Sequence, residues 1–525
     1  MHMKDVCNFL SSPFNKNLRF FLVLFLLASS VNFIDRFSNI GLSSAIYWSL
    51  FGWTESYLLC LLIPLFKSRY ATVYKTLLLA VGIINFITDV IIAKISSCEF
   101  NEFVGLILGT NASEITEFFA HYVSLTSVLL ILGGAICLAV IYCLLGYVRS
   151  NKIITLAGFC ILIGSLPMIF RDTYHHYENI FVGKIYTIIN EYNKNDHQLE
   201  DFFADPSLTT TRRMPDNIVV VIGESFAKDF SSFYGYEKET NPRLSHLPDS
   251  SLVKYSNVTS ADISTVENIE CILSTFTLHT SDKQWYECLT LKEVMSKLGY
   301  KTYWVSNQAE IGLWDNIPAK YAHLCDSSVF VSNQTVDKGV TYDEEVIAPV
   351  REILTTDASR KIIFVHLIGS HPSFEQRYPR GRSVFVTTQY QAFPENQREV
   401  RRHYDNSLVY NDSVVAEILT SGADKETLFF YFPDHGLDIY HTDTDYVGHA
   451  KRGEEASEEV AKHIPFMIYA TPLYQHNYPA EMKRIRESTD NKFVTENFIY
   501  ALMDIIGARF TDNDDVQKYT LFNKE

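Results

Sequence analysis

Asn217-Ile-Val-Val-Val-Ile-Gly-Glu224-Ser225 is a short apolar run that breaks off into a carboxylate and a hydroxyl. Two other runs end the same way: Ile362-Ile-Phe-Val-His-Leu-Ile-Gly-Ser-His371 and Leu428-Phe-Phe-Tyr-Phe-Pro-Asp434-His435-Gly436. Runs this short and this rich in Val, Ile and Phe read as strands buried on both faces of a sheet. In open α/β sheets ligands sit beyond the carboxyl ends of the strands. That rim would gather Glu224, Asp434, His371 and His435 in one place.

Between these runs the pattern alternates. Leu291, Val294, Met295 and Leu298 recur at helical spacing, with Thr290 as N-cap and Gly299 as the stop. A strand is expected over 300–307, a long helix over 396–420, and strands over 427–432 and 464–470. Strand–helix alternation predicts an α/β domain with a mostly parallel central sheet covered by helices on both faces.

The first third of the chain is a different material. Apolar segments near 18–35, 44–66, 75–95, 121–147 and 153–170 each approach the ~20 residues a bilayer crossing needs. The first could be a removable signal peptide, but four segments would remain. Lys4, Lys16, Arg19, Lys67, Arg69, Lys75, Arg149 and Lys152 cluster at the N-terminus and in the even loops. That bias puts the N-terminus in the cytoplasm, and five crossings put everything after 171 on the opposite side. The expected domains are therefore a five-helix transmembrane domain over 1–170, a membrane-surface connector over 171–215, and an exported domain over 216–525. His175 and His176 in the connector read as interfacial side chains rather than ligands.

Lys plus Arg number 45 against 61 Asp plus Glu, a net charge of −16, which argues against a nucleic-acid partner. Of nine cysteines, Cys98, Cys271, Cys288 and Cys325 fall on the exported, oxidising side. Cys271 and Cys288 enclose a short polar loop and form a candidate disulfide pair.

Glu224 and Asp434 offer hard oxygens and His435 an imidazole nitrogen, a mixed set that suits Zn2+. A nucleophile is sought in Ser260-Ala-Asp-Ile-Ser264-Thr265-Val-Glu267. In one reading Ser264 is an N-cap and Glu267 completes a capping box. In the other, Thr265 sits where the helix dipole favours an anion, and a metal on its oxygen would activate it for attack on phosphorus. The two are compatible, and the segment alone does not choose between them.

Gly223-Glu-Ser-Phe-Ala-Lys-Asp-Phe-Ser-Ser-Phe-Tyr-Gly-Tyr-Glu-Lys-Glu-Thr-Asn-Pro-Arg243 resembles the opening signature of the bacterial phosphoethanolamine transferases of the alkaline-phosphatase/sulfatase superfamily. Gly299-Tyr-Lys-Thr-Tyr-Trp-Val-Ser-Asn-Gln308, Gly369-Ser-His371, Tyr404-Asp-Asn-Ser407 and Asp434-His-Gly436 are similar to that family's later landmarks, in its order. The resemblance implies a sulfatase-like catalytic domain, a zinc site of Glu224, Thr265, Asp434 and His435, and Thr265 as the residue that becomes phosphorylated. It implies that His371 and His449 contact the transferred phosphate or a second metal, with His441 a rival for the place of His449 and with weaker matches at His463 and Lys228.

It further implies phosphatidylethanolamine as donor and lipid A or another surface glycan as acceptor. The enzyme would be a monomer of the bacterial inner membrane with a periplasmic catalytic domain. Adding a cationic ethanolamine would reduce negative surface charge, and with it the binding of cationic antimicrobial peptides. Three departures leave the acceptor open. Glu270-Cys271 replaces the usual Pro-Cys, Phe432-Pro433 replaces a Ser before Asp434, and Lys228 stands where an Arg is frequent. Alternatives are a related glycerophosphate transferase or hydrolase and a membrane-tethered binding domain. A formylglycine sulfatase is disfavoured, because no Cys-x-Pro-x-Arg or Ser-x-Pro-x-Arg run exists.

Overall fold

The computed structural model describes residues 3–34, 42–95, 125–145, 150–172, 186, 189, 206–278, 280–308, 310, 317–332, 340–356, 360–442, 446–450 and 454–523. The chain divides into two compact units, one formed by Met1–Leu108 with Glu114–Lys194 and the other built on Asn195–Glu525. Most of the expected connector over 171–215, with His175 and His176, lies outside the described residues, as does Cys98.

Among its described residues the first unit holds the apolar helices α1 Leu18–Ile34, α2 Leu42–Leu61, α3 Ser68–Ile95, α4 Leu125–Leu144 and α5 Lys152–Asp172. Among the described residues only Ser68–Thr88 is long and apolar enough to cross a bilayer, and the other apolar stretches run to 10–17 residues. Aromatic packing joins the helices. Phe21 meets Trp53 edge-on at 4.8 Å, and Phe14 stacks on Tyr57 at 5.4 Å. The buried hydroxyls of Thr54 and Ser165 pair at 2.7 Å, so that neither is stranded among apolar side chains.

The second unit is organised by a seven-stranded sheet. Its elements in chain order are β1 Asn217–Gly223, β2 Leu252–Tyr255, α6 Thr265–Ile272, α7 Leu291–Lys297, β3 Lys301–Ser306, α8 Ile317–Leu324, β4 Ser327–Phe330, α9 Ile347–Thr355, β5 Lys361–His366, α10 Glu395–Thr420, β6 Thr427–Pro433, β7 Phe466–Ala470 and α11 Phe498–Ile506. The sheet order is β2-β7-β6-β1-β5-β3-β4. All seven residues of β1 and of β6 are buried, as their unbroken apolar sequences demand. Each enclosed Val, Ile or Phe contributes about 1.5–3 kcal/mol relative to exposure. Thr290 caps α7 through a full capping box with Glu293.

The expectation of a mostly parallel sheet is corrected, because the sheet is mixed. β7 pairs antiparallel with both β2 and β6. The physical reason lies in the connection from β6. After Pro433 the chain passes through a two-strand ladder, Asp438–Ile439 with Val447–Gly448, and the helix Glu455–Lys462 before it enters β7. Among the described residues no crossover element carries it back to the start of the sheet, and the returning strand runs the other way.

The candidate disulfide is also corrected: Cys271 and Cys288 are free thiols. Ser274 bridges Thr290 antiparallel. That register sets Cys288 beyond the bridge, opposite the chain that follows Ser274, while Cys271 lies on the other side of it in α6.

The C-terminal part is pinned by Asp504 of α11. Its carboxylate accepts from Arg484 at 2.5 Å, Arg509 at 2.6 Å and Thr520 at 2.6 Å. Burial alone would raise the Asp504 pKa, but Arg484, Thr520 and Arg509 outweigh it and hold it below its ordinary 3.8. Asp504→Ala is expected to destabilise this unit toward the lower end of about 3–5 kcal/mol, since it strands partly buried guanidinium groups. Denaturant titration followed by tryptophan fluorescence measures this. Because the folded pKa is depressed, the contribution is present above pH 3.8 and fades as pH falls below that value.

Candidate active site

β1 ends at Gly223, opposite Pro433 of β6 in parallel register, so Glu224 and Asp434 leave neighbouring strands side by side. The chain turns sharply at Ser225, whose φ is 57°. This left-handed conformation aims its backbone N–H at Asp434 Oδ1, 3.3 Å away, while its hydroxyl donates to Glu224 Oε1 at 2.7 Å. Asp434 Oδ1 also accepts from the His435 N–H at 2.7 Å. His435 Nδ1 lies 2.8 Å from the Gly436 carbonyl oxygen, which fixes a proton there and leaves Nε2 facing inward. Nε2 is 3.3 Å from Glu224 Oε1 and 3.6 Å from Asp434 Oδ2.

Thr265 comes from across the rim as the first residue of α6. Its Oγ1 is 3.2 Å from His435 Nε2 and 3.3 Å from Glu224 Oε2. The loop presenting it is tied down by Asn268. The Asn268 amide donates to the Asp262 and Ser264 carbonyls at 2.8 and 2.7 Å and accepts from Asp262 N–H at 3.0 Å. Ser264 occupies the N-cap position, but its hydroxyl meets the Glu267 carboxylate rather than a helix N–H, so no capping box forms. Thr265 thus keeps a helix N-terminus behind it that can take an anion.

Glu224, Asp434 and His435 are 2%, 0% and 0% exposed, so their charges are not shared with water. Burial pushes the Asp434 carboxyl up, and the neighbouring Glu224 charge pushes it further, to about 7. Burial would raise Glu224 too, yet the hydrogen bond and charge of His435 hold it well below the usual carboxylate range. Burial would lower His435, but Asp434 and Glu224 raise it to about 9. Two carboxylates this close favour a cation between them. Among the described residues, these three are the group whose ligand atoms lie within 4.8 Å of one another. Asp434 Oδ2 is enclosed without a hydrogen-bond donor. Two carboxylates, one imidazole and an orphaned buried oxygen fit a divalent ion of the Zn2+ type.

His371 lies near enough to Glu224 and His435 to feel both charges, and burial pushes its pKa down to about 4. Its Nδ1 is enclosed without a protein partner. His449 packs its ring edge-on against His435 at 4.8 Å, whereas His441 is exposed and reaches toward Asp229 at 3.9 Å. Geometry therefore favours His449 over His441. Lys228 Nζ donates to the Ser256 carbonyl at 2.9 Å, and His463 bridges Thr259, so both have local backbone partners.

Several residues hold the site that were not among the candidate site residues, although Asn307, Gln308 and Tyr404 fall in runs that resemble family landmarks. Gln308 Nε2 donates to Glu224 Oε2 at 3.3 Å and to the Leu367 carbonyl at 3.0 Å. Buried Asp343 accepts from the Ile368 and Gly369 N–H groups, both at 2.9 Å, and from Asn307 at 2.9 Å. That clamp presses Gly369, at φ 51°, against Glu224, where a Cβ would lie 2.7 Å from the Glu224 carbonyl oxygen. Tyr404 Oη donates to the Ser225 carbonyl at 2.9 Å and accepts from Ala227 N–H at 3.2 Å. Asn307 and Gln308 fall in the run from Gly299 to Gln308. Asp343, inside an acidic loop, carried no signal at all.

Known proteins are similar to this chain. Phosphoethanolamine transferase EptC of Escherichia coli O18:K1:H7 is 29% identical over 307 residues, 57% of this chain and 52% of that protein. The chain spans about half the length of the curated relatives it matches. The crystal structure of the C-terminal periplasmic domain of E. coli EptC in complex with Zn superposes with a TM-score of 0.55 at 25% identity, covering 61% of this chain and 90% of that one. The integral membrane lipooligosaccharide phosphoethanolamine transferase A of Neisseria meningitidis matches in fold with a TM-score of 0.64 at 15% identity, covering 96% of this chain and 97% of that one. The Sulfatase family model matches residues 216–508, more than half of the sequence, so the chain belongs to the sulfatase family.

Proposed function

We propose that this protein transfers phosphoethanolamine from phosphatidylethanolamine to lipid A or another cell-surface glycan, through a covalent intermediate on Thr265. The observation that carries the reading is the contact of Thr265 Oγ1 with both Glu224 and His435 at the strand ends. Relatives named phosphoethanolamine transferase support the group transferred.

In the first half-reaction Thr265 Oγ1 gives up its proton and bonds to the phosphorus of the donor, while the diacylglycerol oxygen leaves in line and takes up a proton. The first-turn N–H groups of α6 face the phosphoryl oxygens, and His371 and His449 line the same rim. A divalent ion held by Glu224, Asp434, His435 and Thr265 would acidify the threonine hydroxyl and neutralise phosphoryl charge. In the second half-reaction an acceptor hydroxyl attacks the phosphothreonine phosphorus, and Thr265 Oγ1 leaves. The acceptor's proton needs a base on this rim; His449, which packs against His435, would take it.

The five apolar helices would anchor the chain in a bacterial inner membrane, with the N-terminus cytoplasmic, residues 171–215 as connector and 216–525 periplasmic. The Lys and Arg bias of the loops supports that orientation. Anchorage would keep the catalytic unit near both lipid substrates and raise their effective concentration.

Expression in a Gram-negative host should add phosphoethanolamine to lipid A, read by mass spectrometry. Thr265→Ala should cut the adduct by at least about 10^3-fold, as loss of a nucleophile does. Adduct persisting in Thr265→Ala would remove that residue as nucleophile, and wild type without adduct would point to another acceptor. Chelation of the purified enzyme should abolish transfer, and Zn2+ but not Mg2+ should restore it. Glu224→Gln should lower the bound zinc measured by elemental analysis. Phosphoethanolamine recovered on a peptide containing Thr265 would separate a transferase from a binding domain.

A further inference from the structure

His366, the last residue of β5, is fully enclosed, and neither ring nitrogen has a protein hydrogen-bond partner. Buried polar atoms in folded proteins nearly always have partners, so a pair of orphans on one ring needs a reason. The register supplies its place. His366 lies opposite Ile222 of β1 and opposite Ser306 of β3. Alternate residues of a strand share a face, so Ile222 and Glu224 point the same way, and His366 belongs to that row one step deeper in the sheet. Ile222, Phe364 and Trp304 all belong to the core on that side of the sheet, under α6. Glu224 is the charge that His366 feels.

On its other flank His366 packs against Trp304, ring to ring at 5.6 Å. The Trp304 indole N–H is a third enclosed and unpartnered group. The chemistry of the three groups is complementary. An indole N–H only donates, an ionised carboxylate only accepts, and a neutral imidazole does one of each. Burial favours the neutral ring, with a pKa of about 4.

We propose that His366 is a positioning residue for Glu224, its neutral imidazole standing in a hydrogen-bonded chain that runs through bridging waters from the Trp304 N–H on one side to the Glu224 carboxylate on the other. This rests on Glu224 as a metal ligand, as proposed above. The chain fixes the carboxylate's orientation from behind, as Ser225 and Gln308 fix it from the side. Partners of this kind behind a metal ligand usually change metal affinity when removed.

The test is zinc affinity of the full-length protein in detergent, by competition with a chromogenic chelator, for wild type, Glu224→Gln, His366→Phe, Trp304→Phe and the double variant. His366→Phe is expected to weaken zinc by about 10–100-fold, with a metal-free melting temperature close to wild type. Trp304→Phe should weaken it less, and should add nothing in the His366→Phe background, because both variants break the same chain. Zinc binding within twofold of wild type in His366→Phe, or additive losses in the double variant, would overturn the proposal. If His366→Phe does not fold, Trp304→Phe decides alone, and unchanged zinc affinity there overturns it. Wild type without zinc binding, or Glu224→Gln binding zinc as tightly as wild type, would overturn the metal reading together with this one. Intact wild-type binding with indifferent variants sinks only this one.

Discussion

Two carboxylates held together out of water, Glu224 and Asp434, are the constraint on which the rest of this structure turns. Like charges so placed repel, and only a counter-charge makes the arrangement tolerable. The protein supplies part of it with His435, whose imidazole lies within 3.6 Å of both. The remaining imbalance is what recommends the place to a cation. The cost of that buried charge falls on the sheet beneath, where β1 and β6 offer two fully enclosed apolar strands to hold their ends in register.

Keeping the pair aligned takes backbone contact closer than side chains allow. Gly369 rests on the Glu224 backbone, and Gly436 rests on Ala227, where an added Cβ would lie 2.8 Å from Ala227 Cα. Asp343 and Tyr404 anchor the two sides of this packing through backbone groups rather than through the ligands themselves. The candidate ligands are therefore placed largely by the chain's path, with Ser225 and Gln308 holding the Glu224 carboxylate directly.

Much of this was legible in the residues. Three apolar runs ending in Glu224-Ser225, Gly369-Ser-His371 and Asp434-His435 read as strands leading to one rim because strand length, apolar composition and polar termination coincide. Strand direction was not legible. The core strand Phe466–Ala470 is buried along its length whichever way it runs, so its sequence holds no trace of the antiparallel return. The Cys271–Cys288 pairing failed because spacing along a chain carries no register across a bridge. His366 was hidden for the same kind of reason: set inside Ile362 to Leu367, it looked like one more occupant of an apolar strand. Asp343 has no local pattern to betray it, since its three partners come from Asn307, Ile368 and Gly369.

The antiparallel return of β7 leaves the described residues between Asp434 and His463 at one end of the sheet, without a crossover helix among them. Such a segment is bounded at one end by Asp434 and at the other by a core strand, and little between them bears on the register of either. The two-strand ladder within it can change its surface chemistry while Glu224, Asp434 and His435 stay where the strand ends put them. The surface around these three side chains is thereby free to diverge among chains that keep the strand ends unchanged.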